Sequence, residues 1–287
     1  YNIAFGYETG NGITSGSDNI SIGRSTGSNV STGGENVLIG RCTGFAQTTA
    51  FTNTLIGACV GRRLTTGGGN IGFGRRALDC VSAGLYNIAI GVQAGRNRYS
   101  TDLNQPDPNC TISIGYGAGD THFYGNSARN VFLGFQSGDG IVQGNSTSTT
   151  CNKNDDNILI GTDSGDNSGV CGNYCRNILI GFRAASGSVG AGIGTNFANS
   201  VIIGTKAGQQ YEGTCNIFLG AYAGCSPSPR SSGSANIGIG ISVQMPNRFG
   251  SNQLAIGQTS QYWITGDENF NVGIGTTIPT NPVTSGN

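Results

Sequence analysis

One short phrase returns fifteen times along this chain: a polar residue, usually Asn, then three mostly apolar residues, then Gly. The first six closing glycines, Gly6, Gly23, Gly40, Gly57, Gly74 and Gly91, are each 17 residues apart, and the last is Gly275. A unit this short cannot bury an apolar face by itself, so it must stack on copies of itself. The repeat therefore predicts an all-β chain, a parallel β-solenoid of about fifteen short rungs. The predicted repeat body covers residues 1–279: regular rungs over 1–95, loop-bearing rungs over 96–204, regular rungs again over 205–279. Residues 280–287 read as a linker to a further region.

With the closing Gly as position zero, position −4 is Asn in twelve of fifteen repeats, and Thr111, Ser200 and Gln253 stand in the others. Positions −3 and −1 are Ile, Val, Leu or Phe almost throughout, which is the period of two that marks a strand. Gly at zero suits a corner with positive φ. Position +4, Gly in ten of fifteen, marks a second corner. Asn tolerates left-handed geometry, and stacked in register its amide can bond to the Asn above and below. Asn19, Asn36, Asn53, Asn70, Asn87, Asn157 and Asn177 are therefore expected to form a structural ladder.

Position −2 is non-polar in thirteen of fifteen repeats and never charged, although a strand with one wet face should be polar there. The expectation is that −3 and −1 fill the rung while −2 meets another chain. Leu38, Leu55, Phe132, Leu159, Leu179, Ile202 and Phe218 are assigned on this basis to the seam of a homotrimer. Charged residues are only 10% of the chain, against a usual ~25%, which fits a body with protein-covered surface. The net charge of zero gives no reason to expect nucleic acid. No apolar run approaches the ~20 residues of a membrane helix, so membrane insertion is not expected.

The spacing loosens after Gly91, and insertions between rungs of a solenoid emerge as surface loops. Tyr99, His122, Phe123, Tyr124 and Tyr174 lie in these segments and are candidates for receptor contact, with loop packing as the plain alternative. Of the nine cysteines, Cys42 and Cys59 hold the same place in consecutive rungs, where ~4.8 Å stacking permits a disulfide. Mostly free thiols are expected. Asp155, Asp156, Asp163 and Asp166 cluster without calcium-loop spacing and read as solvated carboxylates. His122 is the only histidine, and nothing around it supports a catalytic triad. No cofactor, metal or enzymatic activity is expected. A glycan-cleaving pair of carboxylates on a β-helical scaffold is kept as an alternative, because sequence does not set their separation.

The phrase at Asn87–Gly95 resembles the head repeats of trimeric autotransporter adhesins and repeats of viral tail fibres. The stretch from Asn271 to Pro279 is similar to a segment common near the end of the repeats in viral fibre proteins. The resemblance implies a left-handed parallel β-roll, a homotrimer, and a fibre located on a virion beside other tail proteins. The fibre would span distance rigidly and touch a host-surface glycan or protein. A bacterial cell-surface adhesin or self-assembling extracellular filament is the alternative. The long insertions and the nine cysteines depart from the regular pattern.

Overall fold

The computed structural model describes residues 1–97, 107–120, 128–142, 155–166, 170–171, 174–187, 197–225, 231–259, 261–269 and 271–275. These residues form strands and turns, with no helix among them. One sheet of sixteen strands runs the length of the molecule. Its first fourteen strands, from Ile3–Phe5 to Leu254–Gln258, pair in parallel and in strict register: Ile20 on Val37, Ser21 on Leu38, Ile22 on Ile39, and so on upward. The chain is a parallel β-solenoid.

Each strand is short because its ends are set by backbone conformation. The closing glycines from Gly6 to Gly240 have φ between 119° and 142°. A Cβ built on Gly40 would stand 2.0 Å from the carbonyl oxygen of Gly57, one rung up, and Gly23 meets Gly40 in the same way. Glycine is needed at zero because the next rung's carbonyl occupies the side-chain position. Two residues later the chain turns left-handed whatever the side chain: Ser25, Cys42, Cys59, Arg76 and Gln93 have φ between 54° and 64°. This conformation costs a non-glycine residue ~1–2 kcal/mol. It is held by a rung-to-rung hydrogen bond, as when Cys42 N donates to Arg24 O at 2.9 Å and Cys59 N to Arg41 O at 2.8 Å.

The middle residue of each strand points into the coil. Leu38, Leu55, Leu159, Leu179, Ile202 and Phe218 are fully buried and Phe132 is 1% exposed, all within a single chain. They pack with position +3 (Val60, Ala77, Ala94, Ala207, Ala223) and with Val30, Leu64 and Val81 from the wall that follows. This corrects the seam assigned from sequence: these seven side chains fill the coil and face no partner. The flanking residues −3 and −1 point outward instead, since side chains alternate along a strand. The interior is only one or two side chains across, so neighbouring rungs trade volume. Gly238 sits where a Cβ would lie 3.0 Å from the Phe218 ring, and Gly72 where it would lie 2.6 Å from Val60.

The last repeat also departs from expectation. There is a bulge at Ile256/Gly257, and the strand Gln261–Gly266 runs antiparallel on Leu254–Gln258. Val272–Ile274 then pairs antiparallel with Gln261–Gly266. The fifteenth phrase is therefore the end of a meander, not a rung. A Cβ on Gly257 would lie 2.2 Å from Gln261 O, so the reversal itself depends on glycine.

Candidate interaction surfaces

The outer strand face is apolar along its length apart from Thr54. Its two columns include Ile71 and Phe73, each 36% exposed, and Ile90, Ile114, Ile158, Ile178 and Ile203 at 36–40%. Val37, Ile56, Ile112, Val131 and Ile180 are half-buried between them. Over fourteen parallel strands this is a strip about 60 Å long at ~4.8 Å per strand. Near its upper end, Ile237, Leu254 and Val272 line a groove bounded by Gly266, Asp267 and Asn271. An apolar strip of this extent, broken by no charged side chain within the parallel strands, is the mark of a protein-binding surface.

The asparagines close the other end of each strand. Asn36 Nδ2 donates to Asn19 Oδ1 at 2.9 Å, Asn53 Nδ2 to Asn36 Oδ1 at 3.1 Å, and Asn70 Nδ2 to Asn53 Oδ1 at 3.0 Å. The same oxygens accept the next backbone N–H, as in Asn53 N to Asn36 Oδ1 at 3.0 Å. Asn87 continues this run, and Asn157 and Asn177 repeat it higher up. A third bond goes to the return segment, for example Asn53 Nδ2 to Gly67 O at 3.0 Å. All seven are at most 2% exposed and their amides are committed to the scaffold.

Of the five candidate receptor residues, Tyr99, His122, Phe123 and Tyr124 lie outside the described residues. Tyr174 is 4% exposed and stacks on Phe197 with centroids 5.3 Å apart, so it packs inside the coil and does not meet a ligand. Burial pushes its hydroxyl pKa upward. Tyr116, Phe135 and Phe182 stand exposed at the corner after the strand, where Tyr116 and Phe135 stack at 5.2 Å and Arg183 lies over Phe182. The +1 column would have located them in the sequence.

Charges sit on the wall that follows this corner. Asp79 is fully buried between Arg62 (3.0 Å) and Arg76 (2.8 Å). Arg96 forms a two-pronged pair with buried Asp120, both contacts at 3.0 Å. The four clustered aspartates are divided among different partners. Arg129 takes Asp156 at 2.6 Å and Asp155 at 3.6 Å, and Arg183 takes Asp163 at 3.2 Å. Asp166 is pushed up to about 6, first by burial and then by the neighbouring Asp139 and Asp163, with Arg183 opposing. Among the described residues no group of three or more His, Cys, Asp or Glu is placed to hold a metal ion. Cys42, Cys59, Cys80, Cys110, Cys215 and Cys225 are free thiols, while Cys175 is in a disulfide.

Comparison with protein-family models, with curated proteins and with solved structures finds no match to this chain.

Proposed function

We propose that this chain is a rigid segment of a surface fibre, of the kind found in viral tail fibres, and that it works as a homotrimer joined along the outer strand face. The observation that carries the reading is the double column of exposed aliphatic side chains, aligned over fourteen parallel strands. Leaving such a strip against water is costly at ~25 cal/mol per Å² of apolar surface. Three copies turned toward a common axis would remove all three strips at once and leave the corners and return walls outside. The role is mechanical and adhesive, with no chemistry performed. Its place is a virion or other extracellular fibre, and its partners are its own copies, neighbouring fibre proteins and a host surface. The repeat's resemblance to tail-fibre and adhesin repeats supports the same reading.

The test is mass in solution. The wild-type chain is expected at three times its monomer mass by light scattering. Ile158→Asp with Ile178→Asp places charge in the strip without touching the interior, and is expected to give monomers with an unchanged β-sheet spectrum. A monomeric wild type, or a trimer that survives the double change, would remove this reading.

A further inference from the structure

Charge is distributed unevenly along this neutral chain. Residues 20–97 carry seven arginines against two acids, Glu35 and Asp79, whereas residues 98–166 carry eight aspartates against Arg98, Arg129 and Lys153. Arg24, Arg41, Arg75 and Arg76 lie one or two residues past a closing glycine, and Arg62, Arg63 and Arg96 lie five or six residues past one, beyond the second corner. Contacts to Asp79 tie Arg62 and Arg76 together, and Arg96 and Arg63 both act on Cys80 beside it. Arg24, Arg41 and Arg75 stand at the same position, +1, of three rungs, directly before the left-handed residues Ser25, Cys42 and Arg76.

Pairing separates these arginines into two kinds. Arg62, Arg76 and Arg96 are matched by Asp79 and Asp120. Arg24, Arg41, Arg63 and Arg75 are exposed and make no ion pair among the described residues. The nearest acid by column, Glu8 one rung below Ser25, accepts a 3.4 Å hydrogen bond from Ser25 Oγ. Higher up, Asp120, Asp155, Asp156 and Asp163 are already engaged by arginines of this chain. The surplus is therefore basic, and a second copy of the same rungs offers few uncommitted carboxylates to meet it.

We propose that this basic edge binds an anionic polysaccharide. Guanidinium groups make paired hydrogen bonds to sulfate, phosphate and carboxylate oxygens. At ~4.8 Å per rung, Arg24 and Arg41 are one step apart and Arg41 and Arg75 two, so an extended chain lying along the rod meets a fixed row of cations. The arginines lie past the closing glycines, outside the strands that carry the aliphatic strip, and a strip-joined trimer would present three copies of them. Repeated weak contacts on one polymer then add through high effective concentration. The proposal gives the adhesive reading a ligand class and rests on it.

The test uses immobilised dextran sulfate, with polygalacturonate as a carboxylate arm and neutral dextran as the blank. Wild type is expected to bind both anionic polymers, to ignore dextran, and to release as salt rises, because exposed charges are screened. Preference for one arm identifies the anion. The triple change Arg24→Gln, Arg41→Gln and Arg75→Gln is expected to weaken binding at least tenfold. The matching Arg→Lys triple should keep most of it, and Arg183→Gln, whose parent is paired with Asp163, should leave it within twofold. Equal binding by the Gln triple, or no preference over neutral dextran, overturns the proposal. So does salt-sensitive clustering of unliganded protein that needs the same arginines, which would assign the edge to a second copy. Mass is read in parallel: lost binding at an unchanged trimer mass concerns this edge alone, while a monomer that still binds concerns only the fibre reading.

Discussion

At the level of single residues, stacking turns each choice into a column, and one misfit is felt by the rungs above and below. Gln47 occupies the inward column held elsewhere by Val30, Leu64 and Val81. It is fully buried, and neither Oε1 nor Nε2 has a hydrogen-bond partner. An orphaned buried polar group costs about 1–3 kcal/mol. Gln47→Leu is expected to raise stability by roughly that amount, read as a higher midpoint in chemical denaturation; a loss would mean the amide has an unseen role. Asn53 is the opposite case, with Asn36, Asn70 and Gly67 all depending on it. Asn53→Ala orphans several of these groups together, and a cost of about 3 kcal/mol or more is expected by the same measurement. The Asn column could be read from the sequence because an amide is its own complement when stacked. Gln47 could not, because a buried Gln and an exposed one look alike until the column is aligned with Val30 and Leu64.

At the level of the strand, the spacing and the alternation were legible, while the direction of alternation was not. Both faces are apolar, so period-two reasoning had no polar side to place outside. A better signal was present in side-chain size. Position −2 ranges from Gly72 and Ala89 to Phe132 and Phe218, while −3 and −1 stay near Ile. Variable volume with compensation between rungs marks a filled interior, and uniform branched residues mark a flat contact surface. The reversal after Leu254–Gln258 was hidden for a related reason: Asn271–Gly275 keeps the phrase while its strand pairs antiparallel. Leu179→Ala should therefore cost about 2–5 kcal/mol through an interior cavity. Ile178→Ala, one residue away, is expected to spare the coil and weaken association. Denaturation and light scattering on the two variants separate these outcomes. Asp166 is raised in pKa first by burial, and stacking adds Asp139 of the rung below to the neighbouring Asp163. Its folded pKa is raised to about 6, above the ordinary carboxylate value of 3.8, so the fold favours the protonated form. The stability linked to that proton is fully present below the unfolded pKa and is lost as pH rises through about 6. Asp166→Asn is expected to raise the thermal midpoint at about pH 8 and to give no gain at about pH 3.5. Equal gains at both values would remove ionisation as the cause.

For the whole molecule, the narrow interior sets the terms of stability. Each rung contributes a few inward side chains, and the strands also carry an apolar strip on their outer face. A solenoid of this type gains stability from its rungs and from the contacts between neighbouring rungs. If three strips join, the assembled seam adds a term that exists only in the native trimer, and mass action then makes apparent stability depend on protein concentration. Wild-type chain is expected to melt several degrees lower when diluted a hundredfold, measured by the β-sheet signal in circular dichroism. The Ile158→Asp, Ile178→Asp variant should melt at one temperature whatever its concentration, and lower than wild type throughout. The contacts in the strip are aliphatic, so added salt should leave the concentration dependence in place while it strips dextran sulfate from the basic edge. A midpoint independent of dilution in wild type would mean that a single coil holds itself up without its neighbours, and the outer columns of isoleucine would need a partner of another kind.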